Sequence, residues 1–302
     1  MKIYSILFFC FLVLMSCSNQ KKNDKTLIDK KVVQSEIQKG TIKDISFYSN
    51  NLKRNWNFSI YLPSKYGVDS SKFDVLYLLH GHGGNEKVWM SSGEVKMMID
   101  SMIYKHEIDP IVIVMPDGGN SWFVDGVEKM ESALIKDLLP KIESNYRVNN
   151  NWKHRMIGGM SAGGYGSLRL ILKYPELFQT VILMSPAAYV PYPDQISLSR
   201  TEVQSFKDQD GRFSNALWDK YNYPNYWVHF DSSNYSPHRF FLSTGTSDVF
   251  KGIIKSVNYQ LPQELRKRKL KVSFYVQNYK GGHEMIVWKQ ALKDALLKIY
   301  SN

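Results

Sequence analysis

The amino-acid sequence predicts an α/β fold: one mainly parallel sheet covered by helices on both faces, with a long aromatic insertion late in the chain. Three observations carry this expectation. Short apolar segments alternate with segments of helical periodicity along most of the chain, the pattern of repeated strand–helix units. Asp74-Val75-Leu76-Tyr77-Leu78-Leu79 is apolar at nearly every position, as a strand buried on both faces must be. Gly159-Met160-Ser161-Ala162-Gly163 stands between an apolar approach and a helix-forming stretch, where the chain must turn sharply from strand to helix. At 43% hydrophobic and 22% charged residues, the 302-residue chain can bury a full core, and it shows no internal repeat or low-complexity tract.

The first forty residues read differently from the rest. Met1-Lys2 precedes the apolar run Ile3 to Met15, which is short for a membrane span and suited to an export signal. The run ends in Leu14-Met15-Ser16-Cys17, which resembles a bacterial lipoprotein cleavage box: a small residue, then the cysteine that receives lipid. Residues 1–16 are therefore expected to be a signal peptide, Cys17 the lipidated residue, and residues 17–40 a Lys-rich tether. An ordinary secretory signal with an incidental cysteine is the alternative. The chain would then sit in the cell envelope, its partner a membrane reached through the lipid. The other cysteine, Cys10, falls inside the signal, so the mature chain offers no thiol nucleophile, and it suits an oxidising compartment.

From residue 41 onward the elements follow in order. Strands are expected near 41–48, 54–62, 73–80, 111–115, 155–159, 180–184, 239–243 and 271–276, and helices near 94–105, 127–143, 162–173, 251–268 and 284–300. More than fifty residues separate the strands at 180–184 and 239–243, too many for a plain connection, and this marks a cap at about 187–237. The cap carries Tyr189, Tyr192, Trp218, Tyr221, Tyr223, Tyr226, Trp227 and Tyr235. Such rings can stack on a sugar or an aryl acid, and they serve equally to pack an irregular insertion.

The strand ends carry the chemistry. A serine hydroxyl is a weak nucleophile at neutral pH, so it needs a histidine base and a carboxylate to orient that base. In chains with a Gly-x-Ser-x-Gly turn the order is Ser, then Asp or Glu, then His. Thr244-Gly245-Thr246-Ser247-Asp248 follows one expected strand, and Lys280-Gly281-Gly282-His283 follows the next, so Asp248 and His283 stand in that order at strand C-termini. His80, His106, His154, His229 and His238 lie before Asp248 in the chain. Upstream, His80-Gly81-His82-Gly83-Gly84 follows a strand and matches the loop that supplies a second oxyanion-binding N–H.

Together with Met115-Pro116-Asp117-Gly118-Gly119-Asn120-Ser121-Trp122, Gly159 to Gly166, Gly245-Thr246-Ser247-Asp248 and Gly281-Gly282-His283, that loop resembles the esterase D-like family of α/β-hydrolases. The family includes feruloyl and acetyl-xylan esterases, S-formylglutathione hydrolases, siderophore esterases and mycolyltransferases. The resemblance runs from about Phe58 to the C-terminus. It implies an α/β-hydrolase fold, Ser161 as nucleophile, Asp248 as acid and His283 as base, with the backbone N–H groups of His82 and Ala162 forming the oxyanion hole. It also implies that the side chain at position 82 is free to vary, and that Gly81, Trp122 and Tyr165 border the substrate.

Without residues 1–16 the chain keeps 38 basic residues against 28 acidic ones, with clusters at Lys21-Lys22, Lys30-Lys31 and Arg266-Lys267-Arg268-Lys269. Attraction of a tether and a helix end to anionic lipid or glycan accounts for these better than nucleic-acid binding. There is no metal motif, Walker loop or dinucleotide fingerprint, and no metal or cofactor is expected. The expected activity is that of an exported serine esterase acting through an acyl-enzyme on acyl or feruloyl esters of carbohydrates. The alternatives are a siderophore esterase, an acyltransferase to a carbohydrate acceptor, or an inactive glycan-binding lipoprotein.

Overall fold

Eight strands line up in the order β1-β2-β4-β3-β5-β6-β7-β8. The computed structural model describes residues 39–68, 70–91, 94–268 and 271–301; the expected signal peptide, lipidated Cys17 and almost all of the tether lie outside them. The strands are β1 (Thr41–Ser49), β2 (Arg54–Leu62), β3 (Asp74–Leu79), β4 (Ile111–Pro116), β5 (Arg155–Met160), β6 (Thr180–Met184), β7 (His238–Gly245) and β8 (Val272–Tyr279). β1 and β2 pair antiparallel, as do β2 and β4, and every pairing from β4 to β8 is parallel.

The helices are α1 (Glu94–Tyr104), α2 (Met130–Ala133), α3 (Leu139–Asn145), α4 (Ala162–Lys173), α5 (Leu198–Thr201), α6 (Asn215–Tyr221), α7 (Trp227–Ser232), α8 (Lys251–Lys255), α9 (Leu261–Arg266) and α10 (Met285–Tyr300). β3 shows why the sheet is covered on both sides. Val75, Tyr77 and Leu79 point into one apolar cluster with α2, α3, α4, α8 and α9, while Leu76 and Leu78 point into another with α1 and α10. α10 buries Val287, Ala291, Leu292, Ala295, Leu296 and Ile299, one stripe at helical spacing.

Two helices expected as continuous, at 127–143 and 251–268, are interrupted. Each contains a π turn, Leu134–Leu138 and Ser256–Gln260, directly before a helical segment that opens on Leu139-Pro140 or Leu261-Pro262. Proline has no N–H to donate to the preceding turn and its ring crowds the carbonyl there, so the helix widens ahead of it. The insertion between β6 and β7 is less irregular than expected, because α5, α6 and α7 lie within it. Among the described residues, no helix is long and apolar enough to cross a membrane.

Candidate active site

Strand β5 delivers Ser161 to the C-terminal edge of the sheet through a turn that only glycine neighbours permit. A Cβ on Gly163 would stand 2.5 Å from the carbonyl oxygens of both Leu79 and His80, and one on Gly159 would meet the Gly163 backbone at 2.5 Å. The serine itself takes φ 53° and ψ −115°, a strained geometry for a residue with a side chain. Its N–H extends the ladder to the Met184 carbonyl, and its own carbonyl accepts from Tyr165 and Ala187, which holds the strain in place. Ala162 opens α4, so its N–H belongs to the first helical turn, where no intrahelical acceptor exists and the helix dipole favours an anion.

The loops after β7 and β8 cross beside this turn. Ser247 N–H donates to the Gly281 carbonyl at 2.8 Å, and Thr246 N–H donates to Tyr279, so main-chain bonds fix one loop on the other. His283 Nε2 lies 2.8 Å from Ser161 Oγ, and His283 Nδ1 lies 2.9 Å from Asp248 Oδ2. Asp248 is fully buried, and its second oxygen accepts from Phe250 N–H at 2.9 Å. The His283 ring stands edge-on between Phe250 and Trp288, at centroid distances of 4.9 and 5.0 Å. Three residues separated by up to 122 positions thus form one hydrogen-bonded row. The geometry allows proton transfer from the serine to Nε2 while the carboxylate holds the proton on Nδ1.

Strand β3 brings the remaining loop, and its two histidines are consumed by structural bonds. Gly118 N–H donates to His80 Nε2 at 2.8 Å, so Nδ1 carries the proton and donates to the Gly81 carbonyl. Trp122 Nε1–H donates to His82 Nδ1 at 3.0 Å, and His82 Nε2 donates to Glu202 Oε2 at 2.8 Å. Neither ring has a nitrogen left for a base. The side chain at 82, expected to be free to vary, is engaged on both ring nitrogens and bridges the loop after β4 and the cap.

Burial pushes the His80 imidazole below its ordinary 6.5, outweighing the Gly81 carbonyl that favours the charged form. A histidine kept neutral in the folded chain binds fewer protons than its unfolded counterpart at low pH. Its contribution is fully present above about 6.5 and falls as the pH drops toward the lowered folded value. His238, buried on the Pro175 carbonyl, shifts in the same direction and adds to the trend. The urea midpoint should therefore decline between pH 8 and pH 5. In His80→Gln the decline should be shallower, and an identical slope in the variant would remove His80 as a cause.

A cavity of about 370 Å³ opens at Ser161 and His283. Its walls are mainly apolar, with Val88, Met160, Leu198, Phe250, Met285 and Trp288 among them. Gly81 borders it, its Cβ position 3.5 Å from Ser161 Cβ, and so does the mostly buried Trp122. Tyr165 does not. It is fully buried, stacked on Trp218 at 5.4 Å with its hydroxyl on the Tyr221 carbonyl, and it anchors the cap rather than facing a substrate. Of the cap aromatics, Tyr189 lines the cavity, whereas Trp218, Tyr223 and Trp227 are buried in packing. Leu198, Phe250, Met285 and Trp288 were not singled out from sequence; the position of Trp288 one turn into the helix after His283 was the available signal. Among the described residues, no cluster of three or more His, Cys, Asp or Glu could hold a metal ion.

The profile of the family described as "Putative esterase" matches residues 49–299. The chain is 30% identical over 168 residues to an endo-1,4-β-xylanase/feruloyl esterase of Xylanibacter ruminicola, covering 52% of this chain and 23% of that protein. It is 33% identical over 159 residues to an acetyl esterase of Caldicellulosiruptor saccharolyticus, covering 49% and 57%. The chain thus spans less than two thirds of the length of either relative. A solved ferulic acid esterase superposes with a TM-score of 0.69 at 24% identity, over 87% of this chain and 98% of that one. A fluorophosphonate-binding serine hydrolase of Staphylococcus aureus superposes at 0.70 with 16% identity, over 87% and 100%, a likeness of fold. With the profile matching most of its length and these folds superposing on it, the chain belongs to the putative esterase family and has the α/β-hydrolase fold.

Proposed function

We propose that this protein is a serine esterase that cleaves carboxylic esters through an acyl-enzyme, with acyl or feruloyl esters of carbohydrates as its substrates. The observation that carries the reading is the Ser161–His283–Asp248 row at the mouth of an apolar cavity. His283 takes the Ser161 proton as Oγ attacks the ester carbonyl, and Asp248 stabilises the imidazolium. The tetrahedral oxyanion is held by the N–H groups of Ala162 and His82. The alcohol leaves with the proton from His283, and water repeats the sequence on the acyl group.

The walls favour an acyl group larger than acetyl, since a cavity of this volume falls in the usual range for small-molecule sites and offers apolar contact on several sides. The name of one sequence relative agrees with this, pointing to feruloyl esters, whereas the name of the other points to acetyl esters. A panel of aryl acetates, medium-chain esters and methyl ferulate should show turnover of all three and the highest kcat/KM on the ferulate. No turnover of any ester, with no labelling of Ser161 by a fluorophosphonate, would leave the glycan-binding alternative.

The same proposal places the domain on a membrane of the cell envelope through lipid on Cys17. Full-length protein should partition into detergent and Cys17→Ser into water, while a chain lacking residues 1–38 should keep full activity on small esters.

A further inference from the structure

His82 sits in the run Gly81-His82-Gly83-Gly84, where the backbone is permissive on both sides, and Gly83 takes φ 72°. Such a loop does not by itself hold an amide at one point. One main-chain bond, Gly84 N–H to the Gly81 carbonyl at 3.2 Å, closes the turn, and side chains supply the other ties. Asn120 Oδ1 accepts from Gly83 N–H at 2.9 Å, and His80 ties Gly81 to Gly118. The third tie is the His82 ring, whose two nitrogens are both occupied.

Indole N–H can only donate, so Trp122 fixes His82 Nδ1 as the acceptor and leaves the proton on Nε2, directed at the Glu202 carboxylate. Trp122 is itself buried against Tyr165, Phe206 and Trp218 at centroid distances of 5.5, 5.6 and 6.4 Å. Glu202 directly follows α5, the short cap helix whose first residue, Leu198, walls the cavity. Glu202 is about half exposed, so little of the fold depends on it.

We propose that Glu202 is a positioning residue that acts through the His82 imidazole to hold the His82 amide in the oxyanion hole. The charge-assisted bond from Nε2–H pins the ring against Trp122, and the pinned ring restricts the backbone of its own residue between flexible glycines. The inference rests on the esterase reading, because it concerns the amide that reading assigns to the oxyanion. Restricting an amide aimed at a developing charge affects the chemical step more than ground-state binding.

The test is a double-mutant cycle on full-length protein with 4-nitrophenyl acetate as substrate. Glu202→Ala should lower kcat about tenfold, a fraction of the ~10²–10³ that outright loss of an oxyanion donor costs, with KM changed less than about twofold. Glu202→Gln, which still offers an oxygen to Nε2–H, should recover most of that loss. His82→Ala should match Glu202→Ala, and the double variant should be no worse than either, since both remove one interaction. Unchanged kcat in Glu202→Ala, a change confined to KM, or losses that multiply in the double variant would overturn the proposal. Activity that persists in Ser161→Ala would overturn the esterase reading and this inference with it. Activity abolished by Ser161→Ala but indifferent to Glu202 would overturn this inference alone.

Discussion

Ser161→Ala is expected to lower ester turnover by about 10⁴- to 10⁶-fold while leaving the fold intact, because the covalent route disappears and only binding and oxyanion stabilisation remain. His283→Ala should cost nearly as much, since a serine 2.8 Å from Nε2 has no other base within the row. Asp248→Asn should cost about 10⁴-fold, by presenting the wrong hydrogen-bonding group to Nδ1 at 2.9 Å. The three losses should not add, because the residues act as a unit. Initial rates on an aryl acetate, with circular dichroism as the control for folding, decide this. Retention of most activity in Ser161→Ala would dismiss the mechanism outright.

Gly163→Ala should also be damaging, by a different route that costs both rate and stability. The added methyl would sit 2.5 Å from the Leu79 and His80 carbonyl oxygens and 2.7 Å from the Leu79 carbonyl carbon, all of them main-chain atoms that no rotamer change can move. The turn after β5 and the loop after β3 must therefore separate. Overpacking of this kind costs about 3 kcal/mol of stability. A displacement of about 1 Å between serine and oxyanion amide costs roughly 10²-fold in rate. Thermal denaturation and kcat should fall together. A variant with normal stability and activity would mean that the loop packs less closely than these distances describe.

Most strands were legible because they are buried on both faces or alternate on one, a property of neighbouring residues; β8, at the sheet edge, has neither pattern and no buried residue. All eight lie within a few residues of their expected bounds, and β3 reads as apolar because both apolar clusters claim it. The π turns were not legible, although Pro140 and Pro262 were in plain view. Proline predicts a disturbed helix, and whether the chain stops, kinks or widens depends on what packs against the freed carbonyls.

For the candidate site the division is similar. The Gly-x-Ser-x-Gly turn and the order Ser161, Asp248, His283 stand in the sequence because backbone geometry at a strand end demands particular residues locally. That the three meet at hydrogen-bond distance is a result of β5, β7 and β8 being brought into one sheet. The burial of Tyr165 under the cap, and the bond from His82 to Glu202 across 120 residues, had no local signature at all. Glu202 stands in a stretch without motif or periodicity, and its partner looked like a variable position in a glycine loop. Sequence by itself determined the strands, the strained serine turn and the chain order of the polar groups, since these follow from contacts between near neighbours. Only the tertiary structure decided which rings pack and which face the cavity, and that both nitrogens of His80 and of His82 are taken by structural bonds, because those depend on loops from distant strands converging at one edge.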